Sequence, residues 1–229
     1  MFSYFRHKKK LDKLDLGENA LQSLPNNLFN GSLTVRDLNL DLNYIRSVPA
    51  QAFRGLNAGR IYLSMNRLEE IDDRAFLGLG HSLEFLDLEH NHLDRVPKAL
   101  SMLKRLKYLY MPDNRISTIE EDAFRSFAST IRALSLSGNQ LDRIPTEALQ
   151  DCRRLSHLNI GYNLIHEVLP EDLAWAENLD TLLLRNNRIG RLGSGVFRHL
   201  TKLRELSLSF NKLSHVDPDA FHGMFLIYF

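Results

Sequence analysis

The chain has 229 residues, 29 Lys and Arg against 28 Asp and Glu, a formal net charge of +1 and a single cysteine. That balance gives no global pull toward nucleic acid or an anionic membrane, and one cysteine leaves no internal disulfide to frame a fold. No apolar run approaches the roughly 20 residues that span a bilayer.

The first ten residues, Met1-Phe-Ser-Tyr-Phe5-Arg-His-Lys-Lys-Lys10, put aromatics before bases. A secretory leader has the opposite order, with bases ahead of an apolar stretch of about 7 to 15 residues. Phe5 instead keeps the register of the rest of the chain, because its distance to Leu11 equals that from Phe197 to Leu203. Residues 1–10 therefore read as the tail of a preceding repeat.

From Leu11 one phrase recurs nine times, and Leu203-Arg-Glu-Leu206-Ser-Leu208-Ser-Phe-Asn211-Lys-Leu213 is its cleanest copy. Its asparagines are Asn19, Asn43, Asn66, Asn91, Asn114, Asn139, Asn163, Asn187 and Asn211, spaced 23 to 25 residues apart. Within each copy the fourth and sixth positions are aliphatic while the third, fifth and seventh vary. A period of two turns the aliphatic positions inward and leaves the others on an open sheet face, so each copy encodes a half-buried strand. The Asn falls where the chain leaves the strand, and its amide can bond backbone groups that burial would orphan. One copy cannot cover its own leucines, so the copies must stack, each Asn above the next in a ladder.

Between strands runs a segment of the form Val48-Pro-Ala-Gln-Ala-Phe53-Arg-Gly-Leu56 or Ile71-Asp-Asp-Arg-Ala-Phe76-Leu-Gly-Leu79. Its dozen or so residues, often with an early proline such as Pro25, Pro49, Pro97 or Pro145, leave room for a 3₁₀ turn or one to two helical turns. Phe29, Phe53, Phe76, Leu100, Phe124, Leu149, Leu173, Phe197 and Phe221 form a second column that should stack as an inner row. Cys152 takes the place held by Leu56, Leu79 and Leu200 and is expected to be a small buried hydrophobe rather than a reactive thiol. At the far end Met224 sits where Leu200 sat and Ile227 where Leu203 sat, so residues 225–229 open a truncated tenth repeat. The sequence thus predicts one domain over 1–229: a repeat tail in 1–10, nine repeats in 11–224, and the start of a tenth. It is expected to be a fragment of a longer array.

Spacing, Asn column and Ala-Phe segments together resemble the typical subclass of leucine-rich repeats. The recurring Pro or acid after the outer aliphatic residue, as at Pro25, Pro49, Asp72, Pro97, Glu120 and Pro145, is similar to chaoptin-like cell-adhesion proteins. The resemblance implies an α/β solenoid, a right-handed horseshoe with a parallel concave sheet of about nine strands and short 3₁₀ or helical turns on its convex side. It also implies the extracellular face of the plasma membrane. Neither the cysteine-rich caps of such proteins nor a leader or membrane anchor is found in the sequence.

Catalytic signatures are absent: there is no Gly-x-Gly-x-x-Gly, Walker-type loop, Gly-x-Ser-x-Gly elbow or His-Glu-x-x-His. Glu89-His-Asn-His92 is a local cluster, but Asn91 belongs to the ladder and two histidines make no metal site without further ligands. No catalytic, cofactor or metal residue is assigned.

Binding is the better expectation. The third-position column runs Lys13, Asp37, Arg60, Phe85, Tyr108, Ala133, His157, Thr181, Glu205, and the fifth runs Asp15, Asn39, Tyr62, Asp87, Tyr110, Ser135, Asn159, Leu183, Ser207. With strands about 4.8 Å apart, Tyr62, Phe85, Tyr108 and Tyr110 form one aromatic cluster with Asp87 and Glu89 set in it, a composition suited to a protein partner. The alternative is that these pairs merely stabilise the sheet. Over the third, fifth, seventh and eighth positions eight acids (Asp15, Glu18, Asp37, Asp41, Asp87, Glu89, Asp113, Glu205) face three bases (Lys13, Arg60, Arg185), which disfavours nucleic acid on this face. Arg67, His92, Arg115, Arg188 and Lys212, each following its Asn, make a basic rim that could serve self-association or simply be solvated. Asn30-Gly-Ser32 is a glycosylation sequon in an outer loop.

The expectation is a non-catalytic protein-interaction module, part of an extracellular adhesion protein whose partner is either a different protein or a second copy of itself, reaching a membrane only through an anchor outside this chain. Alternatives are the ligand-binding ectodomain of a receptor and a cytoplasmic scaffold or regulatory subunit.

Overall fold

The computed structural model describes residues 10–25, 28–29 and 33–224. Phe5, the sequon Asn30-Gly-Ser32 and the tenth-repeat residues 225–229 lie outside the described residues.

Each repeat contributes one strand to a single parallel sheet. In chain order the strands are β1 (Lys10–Asp15), β2 (Leu33–Asn39), β3 (Ser47–Val48), β4 (Leu56–Tyr62), β5 (Glu70–Ile71), β6 (Phe85–Asp87), β7 (Tyr108–Tyr110), β8 (Ala133–Ser135), β9 (His157–Asn159), β10 (Thr181–Leu183), β11 (Arg191–Leu192), β12 (Glu205–Ser207) and β13 (His215–Val216). The nine-stranded sheet runs β1-β2-β4-β6-β7-β8-β9-β10-β12, and the remaining four pair as β3-β5 and β11-β13 on the outer side. Neighbours in the large sheet are sequential repeats, so the chain winds as a solenoid with no strand skipped. The register is that of the repeat: Arg60 lies opposite Phe85, Phe85 opposite Tyr108, and Tyr108 opposite Ala133.

Alternation places the core. In β6 Leu86 is fully buried between the half-buried Phe85 and Asp87. Leu109, Leu158 and Leu182 repeat the pattern at 0% exposure. Behind them the phenylalanine column stacks as the sequence predicts: ring centroids are 6.3 Å apart for Phe29–Phe53, 5.8 Å for Phe53–Phe76 and 5.7 Å for Phe197–Phe221. Cys152 is 1% exposed, and burial pushes its thiol up to about 12, so it stays protonated and unreactive at neutral pH.

The outer segments divide in two. Lys98–Met102, Arg125–Phe127 and Pro170–Leu173 are 3₁₀ turns and Thr146–Leu149 is one α-helical turn, as expected. Elsewhere the outer side carries the short ladders β3-β5 and β11-β13, which the turn expectation did not include. Backbone donors explain them. The Asp72 N–H bonds the Val48 carbonyl at 3.0 Å and the Asp217 N–H bonds that of Leu192 at 2.9 Å. Pro97 and Pro145 hold the place of Asp72 and have no N–H, so those ladders stop and the chain turns instead.

The Asn ladder satisfies the edge where the chain leaves the sheet. Asn114 Nδ2 donates to the carbonyls of Leu88 (2.9 Å), Met111 (3.3 Å) and Pro112 (3.1 Å), while its Oδ1 accepts the Leu93 N–H at 3.0 Å. Each interior Asn therefore ties its own turn to the turn before it. Asn43, Asn66, Asn91, Asn114, Asn139, Asn163 and Asn187 are all buried. Asn19 bonds the carbonyls of Leu16 and Gly17, both in its own repeat, and is exposed. Among the described residues no helix is long and apolar enough to cross a membrane.

Candidate protein-binding face

The open face of β4, β6 and β7 carries the predicted aromatic cluster, with Phe85 at its centre. Its ring centroid is 4.9 Å from Tyr62, 5.4 Å from Tyr110 and 6.4 Å from Tyr108, all tilted by 41–42°. Tilted rings at these separations are favoured by the aromatic quadrupole. The pleat explains the grouping: Tyr62, Asp87 and Tyr110 share the fifth-position row, and Phe85 in the adjacent row reaches diagonally to both tyrosines. Tyr108 is 38% exposed, and the other three rings are half-buried.

Asp87 sits between the two tyrosines with its Oδ1 accepting the Glu89 N–H at 2.9 Å. Burial among the rings pushes its carboxyl up to about 6, with the negative Asp41 and Glu89 adding to the rise. Tyr110 is likewise raised, first by burial and then by Tyr108 and Asp87. The cluster is thus a partly desolvated apolar surface holding a carboxylate whose pKa is raised. At one end Arg60 approaches Asp37 at 3.7 Å, and the neighbouring Tyr62 first, then Asp37, raise its guanidinium. Asp41 accepts the Ser64 N–H at 2.7 Å, and burial raises its carboxyl.

The eighth position of each repeat is where sequence reasoning fell short. Glu18, Leu42, Met65, His90, Asp113, Tyr162, Asn186 and Phe210 all have positive φ, as does Gly138 in the same place. Side chains there stand out from the rim: Leu42, Met65, Tyr162 and Phe210 are 46%, 47%, 49% and 72% exposed. Three cation–π contacts, made by two arginines, join this rim that no linear motif announced. Arg67 lies 4.6 Å over the Tyr44 ring, and Arg185 lies between Tyr162 and Phe210, at 5.1 and 5.6 Å from their centroids. Reading columns seven, eight and ten side by side would have found them.

The same turn aims His90 at Glu89 (3.5 Å) and at Asp113 of the next repeat (3.4 Å). Sequence adjacency pairs His90 with His92, whereas stacking pairs it with Asp113. The three polar atoms lie within 4.8 Å of one another, and all three side chains are well exposed, which is the geometry of a solvated polar cluster on the rim.

Known proteins share this repeat geometry. A family model described as leucine rich repeat matches residues 9–58, 59–116, 106–165 and 177–227. Podocan of Mus musculus is 30% identical across 97% of the chain, and chaoptin of Drosophila melanogaster is 30% identical across 94%. The chain spans only 40% and 17% of those two proteins. The solved Toll–Spatzle complex of Drosophila superposes with a TM-score of 0.71 over 91% of the chain and 33% of the solved chain, at 20% identity, which is a likeness of fold.

Proposed function

The chain belongs to the leucine-rich repeat family, a protein-interaction scaffold, and from that premise we propose that it is a non-catalytic part of an extracellular adhesion protein similar to chaoptin. Its binding surface is the open sheet face, with Tyr62, Phe85, Tyr108 and Tyr110 as anchors and Asp87 and Glu89 as polar selectors. One observation carries the reading: four aromatic rings converge on the solvent side of three adjacent strands, where the fold requires nothing apolar. Aromatic anchors ringed by polar groups are what bind a protein partner tightly.

The partner is a protein surface, a second copy of this chain included, and the compartment is the outer face of the plasma membrane, with Asn30 as a glycan site. Mixing labelled cells that display the chain with unlabelled cells that do not separates the cases. Clusters of displaying cells alone support homophilic adhesion, and mixed clusters support a different partner. Absence of any clustering by well-displayed protein contradicts adhesion. A glycan found on Asn30 by mass spectrometry supports the outer compartment, and an unmodified Asn30 in protein from an animal cell contradicts its role as a glycan site.

A further inference from the structure

A chain with near-balanced charge and an acidic sheet face must carry its bases elsewhere, and the edge where the chain enters the sheet is where they gather. A cleft of about 570 Å³ opens there across the entries to β8, β9, β10 and β12, lined among others by Arg132, Arg153, Arg154, Lys202 and Arg204 against the single acid Asp180. Arg204 contacts Asp180 at 3.4 Å. Among the described residues no carboxylate lies within ion-pairing distance of Arg132, Arg153, Arg154 or Lys202. The frame is fixed from within. Asn178 Nδ2 donates to the Arg153 carbonyl at 2.8 Å, and its Oδ1 accepts from Lys202 Nζ at 2.7 Å, so one amide ties two walls together. Ser156 Oγ donates to the Arg132 carbonyl at 3.1 Å and joins the third.

We propose that this cleft binds a linear sulfated polysaccharide. Unpaired guanidinium groups gathered along one edge of a solenoid present several forked donors side by side, which suits a chain that carries many anionic groups. The lining excludes other polyanions. It holds no aromatic ring on which a nucleobase could stack, and its only apolar member is Leu203, which offers little to an acidic peptide. The site lies on the opposite edge of the sheet from the Asn ladder and involves none of the aromatic anchors, so it stands or falls apart from the adhesion reading.

The test is calorimetric titration of the purified chain with a short heparin-derived oligosaccharide, with hyaluronan, an oligouridylate and a polyglutamate peptide as comparators. Wild type is compared with the triple variant Arg132→Ser, Arg153→Ser, Arg154→Ser, and with a control losing the same charge from the other rim, Arg67→Ser, Arg115→Ser, Arg188→Ser. The expected result is saturable binding of the heparin fragment that weakens with salt, falls about tenfold or more in the cleft variant and stays within about twofold in the control. Cell clustering by the cleft variant is expected to be unchanged. Equal losses in both variants would reduce the effect to net charge and overturn the proposal. Tighter binding of oligouridylate or polyglutamate, or no saturable binding at all, would overturn it too.

Discussion

The two sides of the same nine strands obey different rules. On the inner side the fourth-position column reads Leu14, Leu38, Ile61, Leu86, Leu109, Leu134, Leu158, Leu182 and Leu206, all aliphatic. One residue along, the open side reads Asp15, Asn39, Tyr62, Asp87, Tyr110, Ser135, Asn159, Leu183 and Ser207, with almost no rule at all. Inward residues must fit the repeat above and the repeat below, so packing fixes their type. Outward residues answer to no neighbour of that kind, which makes an apolar cluster among them informative about a partner.

Substitutions on the two sides should separate in the same way. Phe76→Ala, in the stacked inner column, is expected to cost about 3 to 5 kcal/mol through lost burial and an unfilled cavity, read from urea denaturation. Asn114→Ala orphans the buried Leu93 N–H, while the Leu88 carbonyl keeps its bond from Asn91 Nδ2, and a loss of about 1 to 3 kcal/mol is expected from that one unsatisfied buried group. Replacing Tyr62, Phe85, Tyr108 and Tyr110 together by Ser removes three ring contacts and is expected to cost only about 1 to 3 kcal/mol. Asn19→Ala, at an exposed rung whose bonds among the described residues stay within its own repeat, should fall within about 0.5 kcal/mol of wild type. A loss as large as that at Asn114 would show that the contrast between rungs is not one of burial and cross-repeat bonding.

The finest difference is a pH dependence. Asp87 has its carboxyl raised from 3.8 to about 6, so between those values the folded state holds more protons than the unfolded chain. Its contribution to stability is greatest below 3.8, declines as pH rises and is gone above about 6. Thermal unfolding followed across that window should show Asp87→Asn flattening the decline relative to wild type. Parallel profiles would mean that the ring cluster does not desolvate the carboxylate.

The strands, the ladder and the phenylalanine row were legible because each is a column, and nine copies average away local exceptions. The aromatic cluster was legible for the same reason, since register alone brings Phe85 beside Tyr62 and Tyr110. The left-handed eighth position was not. Leu42, Met65, Tyr162 and Phe210 are residues that ordinarily avoid positive φ, which costs them about 1 to 2 kcal/mol. A bond to the next repeat holds the first three there: the N–H groups of Leu42, Met65 and Tyr162 donate to the carbonyls of Ser64, Glu89 and Arg185 at 2.8 to 3.0 Å. That donor is satisfied only in the stack, so no window of one repeat reveals it. The His90 contact with Asp113 and the Arg185 sandwich depend on those turns and were hidden with them. The basic cleft was hidden differently, because its bases come from the second position and from loops whose spacing is irregular.

The most direct test of the binding face is cell clustering by the surface-displayed chain, comparing wild type with the variant in which Tyr62, Phe85, Tyr108 and Tyr110 are all Ser. Surface expression and thermal unfolding are matched first, so that a folded variant is what is compared. Clustering by wild type and its loss in the variant is the predicted result. Clustering that survives the four substitutions would contradict the assignment of this face as the binding surface.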